Sequence, residues 1–159
     1  MQILVLSDSH GNVSNMIRAV ELVQPQKILH LGDCWRDGVQ LHEAFPDIPF
    51  EQVPGNCDYQ PDEPTEKLLT EGGLRILMCH GHTYHVKSSL LTAGCAAAEK
   101  ELDLFLFGHT HCPYWDLRGR TQFLNPGSIG ASWSAPTYGL VRIERGVLTA
   151  SVQRLEAQK

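Results

Sequence analysis

No stretch of this sequence approaches the roughly 18 consecutive apolar residues that a membrane-spanning helix needs. The chain is therefore expected not to cross a bilayer. No charged start leads into a long apolar core and cleavage site, because Met1 to Leu6 run straight into a polar motif. That reads as no signal peptide and a cytoplasmic protein. Basic residues are in the minority, 13 Lys and Arg against 18 Asp and Glu, for a net charge of −5. A protein that grips long nucleic acid needs the opposite balance, so that partner is excluded as an expectation. The five cysteines, Cys34, Cys57, Cys79, Cys95 and Cys112, form no C-x-x-C pair. A disulfide framework or a zinc ribbon is therefore not expected, and reduced thiols are. Internal repeats, low-complexity tracts and linkers are missing too. What remains is an ordinary globular mixture, 42% hydrophobic and 19% charged, which excludes a disordered chain. Its 159 residues suit one domain over 1–159.

Histidine, by contrast, is plentiful: there are eight. Their positions follow a pattern set by short apolar runs. Residues 3–6, 27–31, 50–53, 74–79 and 104–107 read as strands, several of them apolar enough to be buried on both faces. Each is followed at once by residues that bind metals. The first leads to Asp8 and His10, the second to Asp33 and the third to Asn56. The fourth leads to His80, and the fifth to His109 and His111. Open α/β sheets bind ligands outside the carboxyl ends of their strands, so five such ends predict one shared site.

The intervening segments fill in the architecture. Met16, Ile17, Val20 and Val23 recur at helical spacing, with Asn12 or Ser14 to cap the helix and Pro25 to stop it. Residues 39–45 and 86–101 read as two further helices, and 59–66 as an irregular connection. Glu71-Gly72-Gly73 turns a hairpin between 67–70 and 74–79. Three more strands are expected at 121–124, 138–143 and 147–154, with a turn at Gly146. The βαβα first half implies parallel strands with right-handed crossovers, and the last half implies antiparallel pairing. A layered α/β sandwich with helices outside accommodates both.

The donor set comprises two carboxylates, four imidazoles and one amide oxygen. Mixed nitrogen and oxygen donors suit Mn, Fe, Zn or Ni better than Ca or a thiolate zinc site. Seven donors exceed the four of a structural zinc and suffice for two ions, with a carboxylate such as Asp33 able to bridge them. Two divalent ions would outweigh both carboxylates, making the site locally positive in an acidic chain and attractive to phosphate.

Asp8-Ser9-His10, Gly32-Asp33, Gly55-Asn56-Cys57-Asp58, His80-Gly81-His82 and Gly108-His109-Thr110-His111 follow one another in sequence. In that order they resemble the motif series of the calcineurin-like metallophosphoesterases, above all the small single-domain bacterial and archaeal phosphodiesterases. The resemblance implies a four-layer α-β-β-α sandwich of two mixed β-sheets flanked by helices. It implies that Asp8, His10 and His111 hold one metal, that Asn56, His80 and His109 hold a second, and that Asp33 bridges them. It further implies hydrolysis of a small phosphodiester through attack by a hydroxide between the metals. The ions expected are two divalent cations, Mn2+ first, with Ni2+, Zn2+, Fe2+ or Mg2+ as alternatives. A homo-oligomer is implied as well, with edge strands near the C-terminus as the interface to expect.

Relatives commonly carry His where this chain has Cys57. An ordinary thiol is a poorer acid–base partner, so activated esters with good leaving groups are expected to be cleaved most readily. Asn56, Cys57 and Asp58 are the candidate catalytic loop, with Asp58 or His82 orienting a ligand or substrate. Two alternatives accompany the phosphodiesterase: a phosphomonoesterase, and a non-catalytic scaffold like the retromer subunit of this fold. His30, His42 and His85 are expected to be structural. Cys34, Cys79 and Cys112 read as small buried spacers. Trp35 is the aromatic residue expected to wall the substrate cleft, and Asn125-Pro126-Gly127-Ser128 a structural turn packed near the site.

Overall fold

A computed structural model describes residues 1–60 and 62–157. The apolar runs form strands whose alternate side chains enter different cores. In β1 (Gln2–Leu6), Ile3 and Val5 face the second sheet, whereas Leu4 and Leu6 face helix α1 (Val13–Val23). That two-sided burial is why the run is continuous rather than alternating. Strands β2 (Lys27–His30) and β3 (Phe50–Gln52) pair parallel to it in order, joined through α1 and α2 (Trp35–Ala44). The hairpin β9 (Thr137–Glu144) and β10 (Val147–Arg154) completes the first sheet, with β9 antiparallel to β1. The strand order is β10-β9-β1-β2-β3.

The second sheet runs β4-β5-β6-β8-β7. Its strands are β4 (Glu66–Glu71), β5 (Leu74–Cys79), β6 (Leu104–Leu106), β7 (Tyr114–Arg118) and β8 (Thr121–Asn125). Strands β5, β6 and β8 are parallel, while the two edge strands are antiparallel to their neighbours. Both sheets are therefore mixed. Ile3, Val5, Leu29 and Leu31 meet Ile76, Met78, Leu104 and Leu106 between them. Helix α1 seals the outer face of the first sheet through Met16, Ala19 and Val20. Helix α3 (Leu91–Glu99) seals the second through Ala93 and Ala97 against Phe105 and Phe123. Each fully buried aliphatic side chain contributes about 1.5–3 kcal/mol, so these three clusters supply most of the driving force.

Four details differ from the sequence reading. Helix α2 begins at Trp35 rather than Val39, because its first turn is polar and packs against the β1 loop instead of the core. Helix α3 starts only at Leu91; a short 3-10 turn at His82–Tyr84 precedes it, and Ser89 Oγ accepts the Leu91 amide. Strand β7 was not anticipated, although Trp115 and Leu117 alternate with Asp116 and Arg118. Because β7 runs out to the edge, β8 returns beside β6 in parallel rather than antiparallel. Among the described residues no helix is long and apolar enough to cross a membrane, and the five cysteines are free.

Candidate metal centre

The loops leaving β1, β2, β5 and β6 converge at one edge, where their backbones are knitted together. Asp8 N–H donates to the Gly32 carbonyl (3.0 Å), and Gly108 N–H to the His80 carbonyl (2.8 Å). Asp8 is fully buried. Its Oδ2 accepts from Ser7 Oγ (2.5 Å) and from the His109 amide (3.2 Å). Its Oδ1 has no hydrogen-bond partner among the described residues. Burying a carboxylate oxygen in that state is costly unless a positive charge faces it. What faces it is His111 Nε2 at 3.0 Å, with His10 Nε2 at 4.0 Å. His10 Nε2 is also 3.3 Å from His111 Nε2 and 3.9 Å from Asp33 Oδ2. Asp8, His10, Asp33 and His111 each offer one donor atom, all within 4.8 Å of one another.

Asp33 faces a second group through its other oxygen. Oδ1 accepts from the Cys57 amide (3.1 Å) and lies 3.5 Å from His80 Nε2. His80 is fully buried, and its Nδ1 donates to the Leu31 carbonyl (2.9 Å). In the neutral ring this leaves Nε2 as a bare lone pair, aimed at Asn56 Oδ1 at 3.0 Å. A lone pair opposed to an amide oxygen and two carboxylates is an arrangement that a cation relieves. The His109 ring is 5.0 Å from that of His80. Burial, helped by His80 and Lys87, holds its imidazole down to about 4, so it too presents a neutral nitrogen. The donors of Asp8, His10, Asp33 and His111 thus fit a cation, and the other Asp33 oxygen faces His80, with Asn56 and His109 next to it.

The backbone bears a cost here. Asp8, His10, Asp33, His109 and His111 all have left-handed conformations, with φ between 45° and 68°. Such residues cost of order 1 kcal/mol each and cluster at functional sites. Two glycines permit the close packing that fixes them. A Cβ on Gly108 would lie 2.8 Å from Asp8 Oδ2, and one on Gly55 would run into Asp33 Oδ1.

The remaining candidates fall around this centre. Both oxygens of Asp58 are taken by backbone amides, of Trp35 and Gly55 at 2.9 Å each, so it holds the 55–58 loop in place. Cys57 is exposed on that loop. Partial desolvation, then the Asp33 charge, raise its pKa and keep it a thiol. His82 lies beside His80, with ring centroids 5.5 Å apart and its buried Nδ1 unpartnered. His30 is buried behind the site, 3.4 Å from Ser9 Oγ, and burial holds it near 4. His42 stacks on Phe50, and His85 ends the 3-10 turn. Cys79 is buried as expected, but Cys34 is half-buried and Cys112 exposed. Trp35 does not wall the centre; its groove is shared with Val39, Phe50 and Lys67. Trp133 is the indole at the site, stacked on His111 at 5.8 Å and 20°.

The turn at 125–128 is structural and near the site. Asn125 Nδ2 donates to the Gly108 carbonyl and to Thr110 Oγ1, and Ser128 Oγ to the Asp8 carbonyl (2.7 Å). Sequence reasoning missed Asp37, whose Oδ2 accepts from Ser9 Oγ and the Gly11 amide, both at 2.7 Å. An acidic residue three positions after Cys34 was the only signal, and it needed the correct start of α2 to be read.

Comparison with known proteins places this geometry in a lineage. A profile of the calcineurin-like phosphoesterase superfamily domain matches residues 1–146. The probable metallophosphoesterase YsnB of Bacillus subtilis (strain 168) is 36% identical over 133 residues, covering 81% of this chain and 75% of that protein. Phosphodiesterase YfcE of Escherichia coli (strain K12) is 27% identical over 154 residues, covering 81% and 79%. A crystal structure of a predicted phosphoesterase from Streptococcus pneumoniae TIGR4 matches with a TM-score of 0.80 and 27% identity, over 96% of this chain and 88% of that one. Vps29 from Entamoeba histolytica, solved with zinc, shares the fold at 19% identity and a TM-score of 0.74 over 98% of each chain. With the profile spanning most of its length and a relative at 36% identity, the chain belongs to the calcineurin-like phosphoesterase superfamily.

Proposed function

We propose that this chain is a single-domain, metal-dependent phosphodiesterase acting on small diesters. The observation that carries the reading is the buried, unpartnered Asp8 Oδ1 facing His111 and His10, beside the bare Nε2 of His80. In this reading Asp8, His10 and His111 would hold one divalent cation and Asn56, His80 and His109 another, with Asp33 shared between them. When bound, the cations supply Lewis acidity toward a phosphoryl oxygen and lower the pKa of a water.

The chain's own groups do the rest. Ser7 Oγ and the His109 amide fix the Asp8 carboxylate, and the Cys57 amide fixes that of Asp33. The Leu31 carbonyl keeps the His80 proton on Nδ1. Asp58 holds the loop that presents Asn56. Cys57, as a neutral thiol, gives little help to a poor leaving group, so esters of acidic alcohols are favoured. The mixed nitrogen and oxygen donors suit Mn2+, Fe2+, Zn2+ or Ni2+, and Mn2+ is the ion to restore first, with Mg2+ as a further candidate. The name of the Escherichia coli relative supports a diester over a monoester.

The test strips the protein with chelator and restores each metal singly, comparing bis-p-nitrophenyl phosphate with p-nitrophenyl phosphate. Metal-restored cleavage of the diester, lost in Asp33→Asn and Asp8→Asn while the fold persists, is the expected result. A faster monoester would make the protein a phosphomonoesterase. No turnover by a folded, metal-loaded protein would leave the scaffold as the function.

A further inference from the structure

Trp133 sits on the loop between β8 and β9, 70% exposed, and its contact is with the ring of His111. Exposing most of an indole forgoes the burial that normally justifies a tryptophan. His111 in turn is part of the donor cluster, its Nε2 3.0 Å from Asp8 Oδ1. The indole therefore stands at the rim of the centre with a large area open to solvent. Beside it lies a cleft of about 210 Å3, lined by His111, Pro113, Ser128, Ser134, Thr137 and Arg154. Arg154 makes no ion pair among the described residues, so its charge is available to the cleft. A second cleft of about 300 Å3 lies on the opposite flank, lined by Asn56, Tyr59 and His82 among others. A phosphodiester has two ester groups, and the centre is bordered by two clefts of unlike chemistry.

We infer that Trp133 and the cleft beside His111 form the subsite for a planar aromatic ester group, a nucleoside or an aryl ring. The inference rests on the phosphodiesterase reading and narrows its substrate class. Stacking on an indole is insensitive to which base or ring is presented, because every such ring has a π face. The guanidinium of Arg154 and the hydroxyls of Ser134 and Thr137 favour a polar or anionic edge on that group, as a sugar or phosphate carries. Small alkyl diesters would lack both contacts. Trp133 is thus a specificity residue that touches substrate, and it is not required to hold metal.

The test compares wild type with Trp133→Ala and Trp133→Phe, all metal-loaded. Calorimetric titration with adenosine 5′-monophosphate and with inorganic phosphate separates the aromatic contact from the phosphate contact. Trp133→Ala is expected to weaken the nucleotide about tenfold, leaving inorganic phosphate and the metal-titration curve unchanged. Trp133→Phe restores most of the loss. In turnover, Trp133→Ala raises KM for bis-p-nitrophenyl phosphate by a similar factor with little change in kcat. Equal weakening of nucleotide and phosphate would overturn the inference, because Trp133 would then act only by holding His111. Unchanged nucleotide binding would overturn it as well. Absence of wild-type turnover would overturn the phosphodiesterase reading alone, since the two titrations still decide the role of Trp133.

Discussion

Acid should destabilise this protein through His30. The residue is completely buried on β2, with Asp8, Asp37 and Asp58 drawing its pKa up and His80 drawing it down. Desolvation outweighs them all and lowers it from 6.5 to about 4. Above pH 6.5 the ring is neutral in both folded and unfolded chains and exerts no pH dependence. Below it, the unfolded chain takes up a proton that the folded chain refuses, so stability falls as pH falls, until both states are protonated below about 4. A shift of this size corresponds to about 3 kcal/mol in full, of which about 2 kcal/mol is lost between pH 7 and pH 5. For a small domain with a stability of about 5–15 kcal/mol that is a large fraction. The assay is urea unfolding in chelator at pH 7, 6 and 5, followed by far-UV circular dichroism, on wild type and on His30→Leu. The variant removes the titration, whatever it does to stability at pH 7, so its loss between pH 7 and pH 5 should be smaller by about 2 kcal/mol. Parallel losses in the two proteins would refute the reasoning and leave acid sensitivity to other groups.

Further predictions concern the site loops. At His10, with φ of 45°, Gly should be more stable than Ala by about 1 kcal/mol, the reverse of their order in a helix, and thermal melts of the metal-free variants measure it. Ser128→Ala takes the hydroxyl donor from the Asp8 carbonyl, which keeps the Gly130 amide at 3.3 Å, and should cost about 1 kcal/mol in urea unfolding. Cys57→His supplies an acid–base group on the loop of Asn56, and should raise kcat for diesters with poor leaving groups at least about tenfold over its effect on p-nitrophenyl esters.

The strands and their polar ends were legible because burial on both faces leaves an unbroken apolar run, as in Ile3–Leu6 and Leu104–Phe107. The ligand-type residues stood out for the same reason, coming directly after such runs. The left-handed conformations of Asp8, His10, Asp33, His109 and His111 were not legible, since Asp and His tolerate that region better than most residues but rarely enter it unless the surrounding loops impose it. Strand β7 was missed as an edge strand with half its residues exposed. The start of α2 was missed because Arg36 is exposed and Asp37 serves the β1 loop rather than the core, which breaks the apolar period. Trp133 was passed over for Trp35 because proximity in sequence to Asp33 is no guide to which indole reaches His111.

The latch between the 125–130 turn and the β1 loop bears on how the protein comes into being. Ser128 reaches Asp8 across 120 residues, and Asn15 reaches Ile129 across 114. Contacts of such separation form late, after shorter loops have closed. On the ribosome, the β1 loop waits for residues 128 and 129 before it acquires its final shape. Until then the chain carries all the candidate donor residues, 8 to 111, without the latch that fixes the loop of Asp8 and His10.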